Sequence, residues 1–510
     1  MVAQGLRSSV ATAAEGDKRQ LMLLAAAVMI SAQLAFRAWA LYPSWFYTDD
    51  YTLLNRARAH RLPDLEYLSD HFNSHFMPFG KLLIWIVAHS GTTNWALAAT
   101  TTLVVQLLTS CACWWMLNTL FGIRWANLAL LAIFLTNAMA MPALMWWTAC
   151  LTQLPVQLAF FLAVGTWVRY LRTRRDRWYL LTALSLLLGL SSDVRVMLVA
   201  PLLVFLTVMY FGTGRPVERV VSVTRRYWRG LALGGLVTVG YTVYYVLSVP
   251  PPFERSPTDV SGVRRSLEVA DSLLGNALTS GALGGPWQWY NTTPPIVLAA
   301  PPNWAVHLSW VVIAFGVALS LLRRTRALRA WSLMLGYALG LLVLLIVSRG
   351  QIYGRLAGME YRYLTDMVCV IPLCLGLAFL TLRGAQESSE PRPDPVLRGA
   401  PRPALVAALV GVICVGGIVS SVRYVDFWHH DNASRDYVKN LQNDLSRARG
   451  KVDLPNQLVP PEVMPSYTAP NNVTQNFLPL LAPNTRFPSS SDRLRIIGAD
   501  GQVRPAEIKT

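Results

Sequence analysis

Charge is what this chain lacks. Of its 510 residues only 14% are Asp, Glu, Lys or Arg, while 53% are hydrophobic. A soluble chain of ordinary composition carries about a quarter charged residues. With a mean hydropathy of +0.37, the deficit excludes an ordinary soluble enzyme and predicts a polytopic membrane protein. Acidic residues are the scarcer kind: 28 Asp and Glu stand against 45 Lys and Arg, a formal charge of +17. That excess does not point to nucleic acid. The Arg residues fall in short loops between apolar segments, where their plainest role is to hold those loops in the cytoplasm. Cysteine is sparse too. Cys111, Cys113, Cys150, Cys369, Cys374 and Cys414 lie in or beside apolar runs, with no CxxC, so they read as small buried hydrophobes rather than a disulfide framework. A signal-peptide pattern is missing: Lys18 and Arg19 precede a full-length apolar run with no A-x-A-like site after it. No tandem repeat is visible. Arg far outnumbers Lys, the composition of a GC-rich bacterial genome.

What is present is a succession of apolar runs. About eleven are long enough to cross a bilayer: roughly 21–42, 96–120, 125–141, 153–170, 178–192, 194–211, 230–249, 304–322, 330–348, 365–382 and 404–422. The segment 77–91, MPFGKLLIWIVAHSG, is apolar but short, and carries Lys81 and His89. If it spans, the loop RYLRTRRDR (169–177) is forced outside. If it lies in the interface, every basic loop (169–177, 212–229, 323–329 and 383–403) falls in the cytoplasm with the tail 1–20. We adopt the second arrangement. It predicts an all-α polytopic protein with its transmembrane module at 21–422 and external segments at 43–95, 142–152, 191–194, 250–303 and 349–364. The C-terminal region 423–510 is then extracytoplasmic. It reads as a small α+β tail: an amphipathic helix with Tyr437, Val438, Leu441 and Leu445 on one face, Pro-rich loops, and a hairpin turning at ADGQ. The segment 250–303, rich in Pro, Gly and aromatics, reads as an ordered lid with a short helix near 261–279.

The stretch WFYTDDYTL (45–53) sets adjacent carboxylates, Asp49 and Asp50, where the first span meets water. Repulsion and partial burial make that arrangement costly. Such a pair either caps a helix end or does chemistry, and a carboxylate can take a proton from an attacking hydroxyl. Three cations, Arg349, Arg355 and Arg362, fall in the external segment 349–364, where guanidinium groups can hold a phosphate or merely meet lipid headgroups. Asp193 and Arg195 sit at an external turn, as a structural ion pair or part of a site. His71 and His75, four apart in SDHFNSHF, would share a helix face and could hold a divalent metal; the plainer reading has His75 touching substrate and His71 on the surface. Trp287, in GGPWQWYNTTPP, offers an aromatic face for a sugar.

Three segments together carry a resemblance: TDDY (48–51), SHFMPFGKLLIW (74–85) and MEYRYLTDMVCVIPL (359–373). A first span followed by an acidic pair, then an interfacial helix led by His and Pro, resembles the GT-C class of integral-membrane glycosyltransferases. That class includes the protein O-mannosyltransferases, the aminoarabinose transferases of lipid A and the actinobacterial arabinofuranosyltransferases. The resemblance covers roughly 21–382. The mannosyl enzymes usually carry Asp-Glu where this chain has Asp-Asp, which is closer to the arabinosyl enzymes, so the sugar stays open. The resemblance implies a polyprenyl-phosphate sugar donor, inversion at the sugar carbon, and no bound metal or other cofactor. It implies Asp49 and Asp50 as catalytic, Arg362 with Arg355 and Arg349 on the donor phosphate, and His75, His71, Asp193, Arg195, Glu360, Tyr361 and Trp287 around the substrates. The acceptor would be a cell-envelope glycan, lipid or protein outside a bacterial plasma membrane. Two alternatives remain: a transporter or flippase of a lipid-linked sugar, and an inactive scaffold of the same fold.

Overall fold

The computed structural model of the protein describes residues 2–91, 93–249, 262–293, 295–395, 402–482 and 484–506. Most of VPPPFERSP and the VLRGAP part of the Pro-rich linker lie outside the described residues. The fold is helical. Among the described residues, nine helices are long and apolar enough to cross a membrane, and a pair bent by 41° at Asn137 makes a tenth.

The order runs α1 (Val2–Leu41), α2 (Asp49–Arg58), α3 (Leu65–Ser69), α4 (Pro78–His89), α5 (Trp95–Phe121), α6 (Trp125–Thr136), α7 (Met141–Met145), α8 (Trp147–Thr173), α9 (Asp176–Leu190), α10 (Val199–Leu206), α11 (Pro216–Ser248) and α12 (Gly262–Ala270). Further spans follow at Asn303–Arg323, Leu328–Tyr353, Tyr361–Phe379 and from Pro403. Local signals set the starts. Asn94 accepts the Leu97 amide at 3.1 Å to cap α5. Pro78 opens α4, where a missing amide costs nothing.

Several expectations change. The predicted span 178–192 folds as α9, whose 15 residues are fewer than the usual spanning length, yet it carries the chain from Arg177 at one end of the molecule to Asp193, beside His75, at the other. The predicted external segment 142–152 is helical: α7 holds Pro142 in its first turn, Trp146 alone is extended, and α8 restarts at Trp147. The basic loop 212–229 is helical from Pro216, with a kink at Tyr227 (φ −122, ψ 19) where it turns into its span. The lid segment carries more regular structure than expected. Helix runs from Gly262 to Ala282, and β1 (Trp289–Thr293) pairs antiparallel with β2 (Ile296–Ala299).

The basic loops gather at one end of the molecule. Glu387 holds Arg219, Arg326 and Arg329 at 2.9, 3.6 and 2.6 Å. Arg172 donates to the Thr119 carbonyl at 3.1 Å, and the Arg383 amide donates to Leu120 O at 2.8 Å. So the loops after α5, α8, α10 and the Tyr361–Phe379 span, and the one before Leu328, share a face. The short α4 lies at the other end beside α2, consistent with an interfacial rather than spanning role.

The tail packs on that other end. Helix Ala433–Arg447, capped by Asn432, buries Tyr437, Val438, Leu441 and Leu445. Ser434 and Tyr51 hydroxyls meet at 2.8 Å, Asn55 donates to Asn476 O at 2.8 Å, and Phe477 packs edge-on to Tyr51. The strands Arg495–Ile497 and Val503–Pro505 form the expected hairpin, with Gly501 at φ 81 in its turn.

Candidate active site

The two adjacent aspartates have different surroundings. Thr48 precedes them with φ 40, a backbone region that a β-branched residue rarely occupies. From there α2 begins, and Asp50 points inward. Its carboxylate accepts the Tyr47 amide at 2.8 Å, the Thr148 amide at 2.8 Å and the Thr148 hydroxyl. Asp50 thus closes the first turn of its own helix and caps the start of α8. Fully buried, it is pushed up to about 7 by desolvation, against the pull of these donors.

Asp49 is buried as well, at 9% exposure. Among the described residues its one side-chain hydrogen bond is long, 3.4 Å from Asn73. Burial raises its pKa to about 6, with Arg362 and Arg349 pulling it down. Asp49 is therefore a carboxyl group poised near neutrality with two guanidinium groups in electrostatic reach.

Those arginines come from two further elements. Arg362 lies 4.7 Å over the Trp146 ring and 3.6 Å from Glu360, a buried carboxyl whose pKa burial raises and Arg362 lowers. Among the described residues its Nε has no hydrogen-bond partner. Arg349 lies near the end of the helix run Leu328–Tyr353 and is half-buried; among the described residues no hydrogen bond or ion pair engages it. The sequence reading placed three cations on a donor phosphate. The structure brings Arg362 and Arg349 to Asp49 and leaves Arg355 exposed.

A second layer stands behind. Asp193 caps the turn before α10, accepting the Arg195 amide at 2.9 Å and meeting the Arg195 Nε at 3.2 Å. Burial alone would raise Asp193, but Arg195 and His75 leave it below the ordinary carboxylate range. Arg195 also reaches Asp366 at 3.0 Å and the Arg362 carbonyl at 3.3 Å. It therefore ties the turn to the segment that carries Arg362.

The histidines correct an expectation. Residues 71–77 do not form a helix. Phe72 and His75 pair across a tight turn, with Asn73 and Ser74 at φ 47 and 65. The ring of His71 goes to the Tyr244 hydroxyl at 3.3 Å, whereas His75 faces Asp193 at 3.8 Å. The shared helix face that would have suited a metal does not exist, and no group of three or more His, Cys, Asp or Glu among the described residues is placed to hold one. Burial and the nearby arginines push His75 down, so it is neutral at pH 7.

Two further expected residues lie deeper. Tyr361 is wholly buried, with its hydroxyl 3.4 Å from that of Ser280 and its ring 5.4 Å from Trp289. Trp287 packs on the last span, its amide donating to the Ser420 hydroxyl at 3.1 Å.

Sequence reading missed several neighbours. Tyr245 donates to the Ser74 carbonyl at 2.8 Å and so fixes the His75 turn. Thr148 and Trp146 hold Asp50 and Arg362. Tyr467 from the tail lies within electrostatic reach of Asp49 and Arg362. The run YTVYY (241–245), with tyrosines at i, i+3 and i+4 where a span ends, was a usable signal; a lone Tyr467 in a Pro-rich loop was not.

No protein-family model and no curated protein matches the chain. Solved structures do. ArnT from Cupriavidus metallidurans bound to undecaprenyl phosphate is 13% identical, covering 87% of this chain and 84% of its own, at a TM-score of 0.45. The arabinofuranosyltransferase AftD from Mycobacteria is 13% identical over 92% of this chain and 33% of its own, at 0.41. The Archaeoglobus fulgidus oligosaccharyltransferase is 10% identical over 91% of this chain and 61% of its own, at 0.40. These are loose overlays.

Proposed function

We propose that the protein is a membrane glycosyltransferase that moves a sugar from a polyprenyl-phosphate donor to a hydroxyl of an envelope glycan, lipid or protein. The observation that carries this is Asp49: a buried carboxyl group with its pKa raised to about 6 and two guanidinium groups, Arg362 and Arg349, in electrostatic reach. In the reaction, Asp49 takes the proton of the acceptor hydroxyl as that oxygen bonds to the anomeric carbon. The carbon–oxygen bond to the phosphate breaks, its electron pair leaves with the lipid phosphate, and the configuration inverts. Arg362 and Arg349 meet the negative charge that develops on the departing phosphate. Asp50, held by Thr148, fixes the start of the helix that carries Asp49, and Arg195 positions the Arg362 segment. Undecaprenyl phosphate is the ligand of the ArnT structure; here a lipid phosphate is inferred from the two guanidinium groups in electrostatic reach of Asp49. By the positive-inside rule the Asp49 end and the C-terminus lie outside a bacterial plasma membrane and the N-terminus within.

The test is transfer from radiolabelled polyprenyl-phosphate mannose or arabinose in nanodiscs, with an envelope extract as acceptor. Asp49→Asn should lower transfer by about 10²–10⁴-fold with unchanged expression. Binding of neither donor would remove the donor assignment and favour a transporter or inactive scaffold.

A further inference from the structure

The end opposite Asp49 holds a second concentration of charge. A cavity of about 470 Å³ opens where α5 and α8 finish and α9 begins. Six guanidinium groups line it: Arg19, Arg169, Arg172, Arg175, Arg177 and Arg383. No Asp or Glu is among its lining residues, and among the described residues none of the six arginines is paired to a carboxylate. Helix ends account for part of this. Arg172 answers the α5 terminus by donating to Thr119 O at 3.1 Å. They do not account for the rest. Arg169 lies over two indoles, 5.2 Å from Trp115 and 4.7 Å from Trp178, and Arg177 lies 4.9 Å from Trp178. Two like charges on one ring repel, and an anion between them relieves that repulsion. The indoles fix the planes of the guanidinium groups, which suits forked hydrogen bonding to phosphate oxygens.

We propose that this cavity binds the phosphate-bearing headgroup of an anionic membrane lipid from the adjoining leaflet. Span ends frame it, so it lies at headgroup depth, where Trp is favoured. Below it, α9 exposes Leu180, Leu181 and Leu184, an apolar face on which the acyl chains can lie. The site does not depend on the reading of Asp49.

The test uses the full-length protein, delipidated in neutral detergent and titrated with phosphatidylglycerol or phosphatidylcholine. Binding is read by native mass spectrometry and by the unfolding midpoint. The cavity variant is Arg169→Gln, Arg177→Gln, Arg383→Gln. A charge-matched control, Arg215→Gln, Arg225→Gln, Arg226→Gln, lies outside the cavity. Phosphatidylglycerol affinity should fall at least tenfold in the first and less than twofold in the second, with phosphatidylcholine unaffected. Equal losses in both would overturn the proposal, since charge anywhere would then suffice. So would a midpoint raised by inorganic phosphate in wild type but not in the cavity variant, with no discrimination between the lipids; the ligand would then be a soluble anion. If the triple change prevents folding, Arg169→Lys with Arg177→Lys keeps the charge and removes the stacked fork. Its affinity should drop at least threefold, and wild-type affinity would overturn the proposal.

Discussion

The two ends of this molecule handle charge in opposite ways. Around Asp49 the carboxylates Asp49, Asp50, Asp193 and Glu360 are buried beside oriented donors or guanidinium groups, and their pKa values are displaced. At the other, arginines crowd together and one carboxylate, Glu387, serves three of them. The same α8 joins both: Thr148 holds Asp50 at its start, and Arg169 and Arg172 stand near its end, 27 residues long in all. At 1.5 Å per residue that is about 40 Å, a bilayer with its interfaces. Scarce, desolvated charge is suited to chemistry; abundant, hydrated charge is suited to orientation and to binding anions.

The contrast can be broken in graded steps. Arg362→Gln removes the cation proposed to meet the departing phosphate, and transfer should fall by about 10²–10³-fold, with kcat affected more than donor binding. Asp50→Asn replaces an acceptor of three hydrogen bonds by a group that turns an amide toward donors. Unfolding should be easier by about 2 kcal/mol, measured by denaturation in detergent, and Asp50→Asn should lower activity less than Asp49→Asn does. Glu387→Gln, at the arginine end, should cost about 1 kcal/mol and leave transfer within twofold. A large loss of transfer there would mean the ends are not separable.

The end-to-end division was legible in the sequence because loop arginines and span lengths record it. RYLRTRRDR could sit on one side only if 77–91 stayed out of the membrane, and α4 does lie beside α2. The acidic pair was legible as a feature, but not its division of labour. Asp49 and Asp50 are chemically identical letters, and what separates them comes largely from afar: Thr148, 98 positions away, holds Asp50 alone. The His71 and His75 spacing misled because Asn73 and Ser74 adopt left-handed backbone, which turns a would-be helix face into a hairpin-like bend. Helix in the basic segment after Pro216 was hidden by its charge: Val217, Val220 and Val221 give it an apolar face that a hydropathy average over 212–229 conceals.

The raised Asp49 carboxyl has a defined pH signature. As a base it must be ionised, so activity grows as pH rises through its pKa. For folding the sign is opposite: the contribution of Asp49 is most favourable below the ordinary carboxylate pKa and is lost as pH climbs through about 6. The most direct test is therefore the pH dependence of single-turnover sugar transfer in wild type and Asp49→Asn. The account predicts a rising limb centred near pH 6 in the wild type, absent from the small residual rate of the variant. A limb of the same position and height in both proteins would contradict Asp49 as the base.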